Sequence, residues 1–375
     1  MNPNEHRIPS LDGMRSIAIG LVCLGHVTWN QRLLGQGGQY LKLGDIGVRI
    51  FFVLSGFLIT GLLLRELETT GSVSLARFYA RRALRIFPAF YTFVGIMIAV
   101  DAVWRAHLYR GSPLSALSYA ADYVVPAKRV FGHTWSLAVE EQFYLLWPAV
   151  LLLLGRRRGM RLAAMLLVVC PIMRTISYVA VSQHAGIVTH IQNPQFRFDT
   201  QADALAIGCL LAGFWNRLHA QQWYCRFLAS RAYVFVPVLG LMVTEVGRQQ
   251  HDFLIGVYLL IGCSATNLAI ALSLDWCLTY PGGSVGRFLN AAPLKTLGVL
   301  SYSIYLWQEP FLYVGRSAWW QTPPANIGLA LLAASASFYL IERPFLRLRK
   351  RWEQRDTEPL EIREPRLAGA GVQAG

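Results

Sequence analysis

The stretch Ser16-Ile-Ala-Ile-Gly-Leu-Val-Cys-Leu-Gly-His26-Val-Thr-Trp29, which directly follows Arg15, decides the fold class of this chain. Its apolar length predicts a helix that crosses a membrane. Arg15 and His26 are eleven residues apart, which is close to three helical turns, so both side chains share one face about 16 Å apart along the axis. An ionisable group inside a membrane is costly and is a functional candidate by default.

The composition extends this interpretation to the whole chain. Hydrophobic residues make up 54% and charged residues only 15% of the 375 residues, whereas a soluble domain carries about 25% charged residues. We therefore predict an all-α polytopic integral membrane protein, a bundle of about ten transmembrane helices. The predicted spans are residues 13–32, 46–65, 86–104, 135–154, 162–181, 203–218, 232–247, 253–273, 296–314 and 324–341.

The distribution of cations predicts the orientation. Basic residues concentrate in the loops after spans two and four and behind the last span: Arg65, Arg77, Arg81, Arg82, Arg85, Arg156, Arg157, Arg158, Arg161, Arg347, Arg349, Lys350, Arg351 and Arg355. The positive-inside rule makes that side, and with it both termini, cytoplasmic. The net charge of +14 then reflects topology and contact with anionic lipids, and we expect no nucleic-acid partner. Residues 1–347 form the predicted transmembrane domain, and 348–375 a basic, disordered cytoplasmic tail.

A cluster of arginines lies where the third span begins, in Phe78-Tyr-Ala-Arg81-Arg82-Ala-Leu-Arg85-Ile-Phe-Pro88. On a helix, Arg81 and Arg85 are i,i+4 neighbours and Arg82 joins Arg85 at i,i+3. Guanidinium groups pair bidentately with phosphate oxygens, so the cluster is a candidate phosphate site. The alternative is anchoring of the span by the positive-inside effect alone.

A polar stripe runs through the fourth span, which begins Gly132-His133-Thr-Trp135-Ser136. Ser136, Glu140 and Tyr144 lie at i, i+4 and i+8 and therefore share a face. Glu140 and Glu141 are adjacent carboxylates within a membrane, and we expect one of them to pair with a cation or to stay protonated.

Other spans carry polar residues whose roles remain open. Ser301, Tyr305 and Gln308 form a second stripe at i, i+4 and i+7 in the ninth span, where packing is the alternative to binding. Asp199 and Asp203 share a face of the sixth span and are expected to bind a polar acceptor, to pair with Arg197, or to face interfacial water.

Four further expectations are structural. Ser55-Gly56 in the second span permits close helix packing, and Arg49 snorkels to the outer interface. Glu342 and Arg343 form a local ion pair. The six cysteines show no paired spacing, so neither a disulfide nor a metal site is expected.

Together these segments resemble the membrane-bound acyltransferase 3 family. The resemblance covers residues 8–347 and rests on motifs in the expected order: Leu11-Asp12-Gly13-x-Arg15 with His26, Phe51-Phe-Val-Leu-Ser55-Gly56-Phe, Arg81-Arg82-x-x-Arg85-Ile-x-Pro88, His133-x-Trp135-Ser136-Leu137-x-x-Glu140, and Ser301-Tyr302-Ser303-Ile-Tyr305. Members commonly have an arginine shortly before the aspartate of the sixth span. Here Gln201 and Ala202 precede Asp203.

The resemblance implies an integral membrane O-acyltransferase of the bacterial inner membrane. The donor is acyl-CoA, usually acetyl-CoA, bound from the cytoplasm without a metal. The acceptor is a hydroxyl of a surface carbohydrate or glycolipid, of polysaccharide or lipopolysaccharide type, presented from the other side. The chain is then expected to contact membrane lipids, and its oligomeric state stays open.

Residue roles follow from combining the resemblance with the chemistry. Arg15, Arg81, Arg82 and Arg85 are expected to bind coenzyme A. His26 is the general base or a transient acyl carrier, and Glu140 orients its ring. Acceptor contacts are expected from His133, Trp135, Ser136, Asp203, Ser301 and Tyr305. A polytopic transporter or flippase of a polar or lipid-linked substrate is the competing interpretation.

Overall fold

The computed structural model describes residues 8–31, 43–104, 112–124, 130–183, 196–246, 252–312 and 319–357. Within these ranges the chain forms helices and short connections, without a β-strand. The α-helices are α1 Leu11–Gln31, α2 Leu43–Thr70, α3 Leu75–Trp104, α4 Ser112–Leu117, α5 Thr134–Gln183, α6 Phe198–His219, α7 Gln222–Ala229, α8 Phe235–Val246, α9 Asp252–Val257, α10 Cys263–Thr279, α11 Ser284–Leu289, α12 Ala292–Leu312, α13 Ala325–Ser337 and α14 Arg343–Thr357. Short π-helical turns, Tyr258–Gly262 and Phe338–Glu342, join α9 to α10 and α13 to α14.

Within the described part of the chain, five helical segments are long and apolar enough to cross a membrane, or six if the bent pair Gln222–Ala229 and Arg231–Thr244 forms one span. This supports a multi-pass membrane protein but does not confirm ten spans. The first predicted span, which forms α1, is not among these segments, and neither are α6 and α12. Helices α6 and α12 each contain several buried polar residues, and the long helix α5 covers two of the predicted spans.

Gly155 divides α5 into two arms. Its backbone has a φ of 71° and a ψ of 173°, which interrupts the helix at a position that only glycine adopts without strain. At the other end of the chain, α14 continues to Thr357, ten residues past the boundary expected at residue 347. The predicted tail from 358 onward and residues 1–7 lie outside the described residues.

Helix α2 is central, because it packs against both α1 and α6. Its crossing with α6 depends on two glycines. A β-carbon at Gly56 would lie 2.0 Å from Leu205 O, and one at Gly208 would lie 2.2 Å from Val53 O. The backbones therefore touch directly, which confirms the packing role expected for Gly56.

Helices α1 and α12 run side by side in the same direction, with Gly298 against Asp12 near their starts and Gln308 against His26 further along. Helix α3 begins at the same end, since Tyr302 donates to Ile86 O at 3.0 Å. We call this end, which carries Arg15, Arg82 and Arg85, the basic end. Helix α5 begins away from it, because His133 contacts Glu309 of α12.

Candidate active site

An internal cavity with about 800 Å³ of empty space opens among α1, α2, α3, α5 and α12, and we call it the basic cavity. Arg15, Arg82 and Arg85 line it at the basic end, and Ser136 and Tyr305 line it at the far end. Its other lining residues are Val48, Phe51, Phe52, Ser55, Leu58, Ile86, Leu137, Glu140, Glu141, Tyr144, Ser301 and Tyr302.

The arginines of the cluster differ in their surroundings. Arg15 Nη1 lies 3.3 Å from Asp12 Oδ1, and the Arg82 guanidinium lies 4.6 Å from the centre of the Tyr144 ring. Arg81 is not among the described residues that line the cavity, and its guanidinium is 3.6 Å from Glu66 Oε2. The cavity thus gathers three of the four arginines expected to bind coenzyme A.

Glu140 lies in the wall of the basic cavity, where α2 and α5 meet. Its Oε1 accepts a hydrogen bond from Ser55 Oγ at 2.8 Å, and its Oε2 accepts one from Tyr144 OH at 3.3 Å. These bonds hold Glu140 in the cavity wall between α2 and α5, and the orienting role expected for it towards His26 stays a prediction. The i, i+4, i+8 stripe did predict that these residues share a face.

The far end of the basic cavity is closed by a hydroxyl pair, which we call the roof. Ser136 Oγ and Tyr305 OH lie 2.5 Å apart, so one hydroxyl donates to the other, and each oxygen is 3.1 Å from the carbonyl oxygen of His133, which accepts from the second hydroxyl. Ser301 lies one helical turn before Tyr305, on the cavity wall. The predicted stripes of α5 and α12 therefore face each other.

His26 lies one turn of α12 beyond the roof, beside Gln308. Gln308 Oε1 is 2.6 Å from His26 Nδ1. An amide oxygen only accepts, so Nδ1 carries the proton and Nε2 of the neutral ring keeps its lone pair. Gln308 is fully buried, and its Nε2 has no hydrogen-bond partner in the described part of the chain. Gln308 therefore holds the position beside Nδ1 of His26 that was expected for Glu140.

His133 binds Glu309 of α12 at the start of α5. Glu309 Oε2 accepts from the His133 backbone N at 2.7 Å and also contacts its ring Nδ1. Both side chains are almost completely buried, and His133 lines neither described cavity. This arrangement fixes the start of α5 on α12 rather than presenting the imidazole to an acceptor.

Asp203 is enclosed in an ion pair with Arg174 of α5, at 2.7 Å, and both side chains have no exposed surface. Ser264 Oγ donates to the second carboxylate oxygen at 2.6 Å. Asp199 binds Arg197 instead, which was one of the three alternatives. Acceptor binding by Asp203 therefore does not agree with the structure, because Arg174 supplies the cation that the sequence around Asp203 lacks.

A second, much smaller cavity, with a volume of about 20 Å³, lies near the starts of α2, α5 and α6, and we call it the aromatic cavity. It is lined by Asp45, Val48, Arg49, Trp135, Phe196, Gln201, Tyr258 and Cys263. Arg49 is buried and donates to Asn267 Oδ1 at 3.0 Å, so the expected snorkelling to the interface is wrong. Trp135 and Ser136 thus face different cavities.

The structure also replaces the expected Glu342–Arg343 pair. Ser303 donates to the buried Glu342, while the Arg343 guanidinium lies 5.5 Å from the Tyr339 ring centre. Within the described ranges there is no group of three histidine, cysteine or carboxylate side chains able to hold a metal ion.

Sequence reasoning therefore located most of one cavity but missed partners on other helices. The residues that line the cavity are Arg15, Arg82, Arg85, Glu140, Ser136, Ser301 and Tyr305. The predicted site residues that do not line it are His26, Arg81, His133, Trp135 and Asp203. The unexpected partners are Gln308, Glu309 and Arg174. A single arginine inside the fifth span was the available signal for Arg174, because such a charge needs a buried partner.

A helical multi-pass membrane protein with a basic cavity and a half-buried imidazole beyond it is suited to an anionic ligand and to proton transfer. The sequence profile of the acyltransferase 3 family, which is described as an acyltransferase domain, matches residues 8–343 of this chain. The chain therefore belongs to the acyltransferase 3 family.

Three named proteins are similar to this chain over most of its length. The chain is 31% identical to the putative peptidoglycan O-acetyltransferase YrhL of Bacillus subtilis, over 91% of this chain and 55% of that protein. It is 28% identical to the peptidoglycan O-acetyltransferase OatA of Listeria monocytogenes (90% and 54%) and to the O-acetyltransferase OatA of Staphylococcus aureus (90% and 57%). The chain spans about half the length of these relatives. No solved structure matches it.

Proposed function

We propose that this protein is a membrane O-acyltransferase that moves an acyl group, in the first instance acetyl, from acyl-CoA to a carbohydrate hydroxyl. The observation that carries the proposal is the basic cavity, in which three arginines stand at one end and a hydroxyl roof at the other, one helical turn before the residue that holds His26. Membership of an acyltransferase family supports it and disfavours the transporter alternative.

The donor matches the basic cavity by charge. Guanidinium groups of Arg15, Arg82 and Arg85 would hold phosphate oxygens of coenzyme A. The walls beyond them are apolar on one side, through Phe51, Phe52 and Leu58, and polar at Glu140 and Ser55. A thioester arm lying along these walls would end at the roof. Positive-inside orientation makes the basic end cytoplasmic.

His26 would handle the proton of the acceptor. Gln308 accepts from Nδ1–H, so Nε2 is the ring nitrogen whose lone pair would take the proton of the attacking hydroxyl, a step usually worth about 10²- to 10⁴-fold. The alternative route makes Nε2 the nucleophile and forms a transient acyl-histidine. The names of the relatives support a peptidoglycan-type glycan as acceptor in place of lipopolysaccharide.

The test uses the purified chain in lipid nanodiscs with radiolabelled acetyl-CoA and cell-wall glycan fragments. We expect transfer by the wild type and none by His26→Ala, with equal binding of acetyl-CoA by both. Label that remains on wild-type protein but not on His26→Ala without acceptor identifies the acyl-histidine route. Absence of donor binding by the wild type would overturn the proposed function.

A further inference from the structure

Helix α14 carries a further arginine, Arg349, on the face that it turns towards the rest of the protein. Leu346, Arg349 and Glu353 recur at i, i+3 and i+7, and all three are partly buried, whereas Arg347 and Arg351 are exposed. Residues at this spacing share one face of a helix. Because α14 packs against α3, Arg349 belongs to the contact between these two helices and not to the exposed basic surface of α14.

Arg349 lies beside the arginines of α3. The positive charges of Arg81 and Arg85 both act on its guanidinium group, and these two residues are one helical turn apart. Arg85 lines the basic cavity, and Arg81 is nearer the start of α3, which lies at the basic end. We call Arg81, Arg85 and Arg349 the basic rim, because they extend outward from the wall of the basic cavity.

The carboxylates beside the basic rim bind it only weakly. Arg349 Nε lies 3.5 Å from Glu353 Oε1, and Arg81 Nη2 lies 3.6 Å from Glu66 Oε2. Strong hydrogen bonds between charged groups measure about 2.7–2.9 Å, and partly exposed ion pairs of greater length contribute little. Arg349 Nε is itself buried and makes no hydrogen bond within the described part of the chain. The rim can therefore take a better acceptor than these carboxylates.

The proposed donor has a phosphate group that the basic cavity does not account for. Coenzyme A carries a diphosphate at the 5′ position of its ribose, from which the thioester arm extends, and a separate phosphate at the 3′ position. A phosphate monoester has a charge of about −1.5 to −2 at pH 7. If the arm lies in the basic cavity with the diphosphate at its arginines, the ribose and its 3′-phosphate remain outside, where the basic rim lies.

We infer that Arg349 and Arg81 form a second phosphate site, which binds the 3′-phosphate of the acyl-CoA donor outside the basic cavity. This inference rests on the proposed function. It gives Arg81 a place in donor binding, although this residue does not line the basic cavity. Arg349 lies beyond residues 8–343, which the family profile matches, so membership of the family does not by itself imply this site.

The experiment compares two donors, acetyl-CoA and acetyl-3′-dephospho-CoA, which lacks only the 3′-phosphate. Their Kd values are measured on the chain in phosphatidylcholine nanodiscs, where the wild type should bind acetyl-CoA at least about tenfold more tightly. Arg349→Ala should weaken binding of acetyl-CoA about tenfold and leave the dephospho donor unchanged. The matched control is Arg351→Ala, because Arg351 is exposed on the opposite face of the same helix, and it should behave like the wild type.

A second variant should act in the opposite direction. Glu353→Gln removes the carboxylate that competes with the phosphate for Arg349. It should strengthen binding of acetyl-CoA several-fold and leave the dephospho donor unchanged. A purely structural role of the Arg349–Glu353 contact would not produce a gain that depends on the 3′-phosphate.

The outcomes separate the two proposals. Wild-type protein that binds neither donor contradicts the proposed function itself. If the wild type binds both donors equally, or if Arg349→Ala loses affinity for both by the same factor or for neither, the second phosphate site is wrong while the function stands. An anionic lipid headgroup offers the same chemistry, so the set is repeated with phosphatidylglycerol in the nanodiscs. An effect of Arg349→Ala that requires this lipid would assign Arg349 to the lipid and overturn the inference.

Discussion

Gln308 Oε1 lies 2.6 Å from His26 Nδ1, although the two residues are 282 positions apart in the chain. This bond joins α1 to α12 just beyond the roof of the basic cavity. It determines which ring nitrogen of His26 carries a proton, so Gln308 is a positioning residue for the proposed base.

Replacing Gln308 should therefore change the pH dependence of transfer. Gln308→Leu should lower kcat by up to about 100-fold, because the ring loses its preferred tautomer. Gln308→Glu places a carboxylate beside Nδ1 and stabilises the imidazolium, so the acid limb of the kcat profile should move to higher pH by about one unit.

The control is Gln142→Leu, which also removes an amide that bridges two parts of the chain, to Tyr119 O and Asp122. Its acid limb should coincide with that of the wild type. Identical profiles for all three variants would show that Gln308 has a packing role only.

Loss of an arginine that lines the basic cavity should weaken binding of the donor. Arg82→Ala and Arg85→Ala should each raise the Kd of acetyl-CoA by about 10- to 100-fold, because hydrogen bonds between charged groups contribute about 1.5–3 kcal/mol. Arg65→Ala is the control, since this arginine is exposed near the end of α2. Equilibrium binding of labelled acetyl-CoA measures the effect, and equal affinities across the set would refute the phosphate site.

The buried pair Arg174–Asp203 should contribute to stability and not to acceptor binding. Asp203→Leu or Arg174→Met leaves one buried charge without its partner and should cost about 3–5 kcal/mol, whereas the double variant should be less destabilised than either single one. Thermal unfolding in detergent measures this. An unchanged Tm for Asp203→Leu, together with a raised acceptor KM, would instead restore the acceptor role.

The crossing of α2 with α6 should not tolerate a methyl group. Gly56→Ala brings a β-carbon to 2.0 Å from Leu205 O, so the backbones must separate, at a cost of about 3 kcal/mol. Gly61→Ala on the same helix has nothing within 4 Å and should be neutral, or stabilising by up to about 1 kcal/mol. Yield and Tm of the two variants, compared directly, decide the point.

Asp122, in the connection before α5, should make stability depend on pH. Burial raises its pKa from 3.8 to about 6, although Gln142 and the Phe198 N–H donate to the carboxylate. Folding therefore favours the protonated form, and this stabilisation is full below about pH 4 and is lost as the pH rises through about 6. The Tm of the wild type should fall more between pH 5 and pH 7 than that of Asp122→Asn. Parallel curves would contradict this.

Helical spacing allowed part of the site to be predicted. Ser136, Glu140 and Tyr144 recur every four residues, and the structure places all three on the basic cavity because one helix face is a local property of the chain. Ser301 and Tyr305 of α12 were predicted from their spacing in the same way. The arginines at 82 and 85 were recognisable for the same reason.

Helical spacing could not predict contacts between segments that are distant in the sequence. His26 with Gln308, and Asp203 with Arg174, depend on which helices pack together, and spacing within one helix carries no information on that. A related effect explains part of the difference between the predicted number of spans and the number found in the structure. Polar residues in α6 and α12 lower their hydropathy, yet these residues face internal partners.

Val48 lines both the basic and the aromatic cavity, which has a consequence for the membrane as a whole. Two polar cavities that approach from opposite ends would join into a water-filled channel if the residue between them were small or hydrophilic. A branched apolar side chain, buried to 93% on a helix whose backbone touches α6, interrupts any file of water there. The residue that separates the two cavities would thus also prevent protons from leaking through the protein.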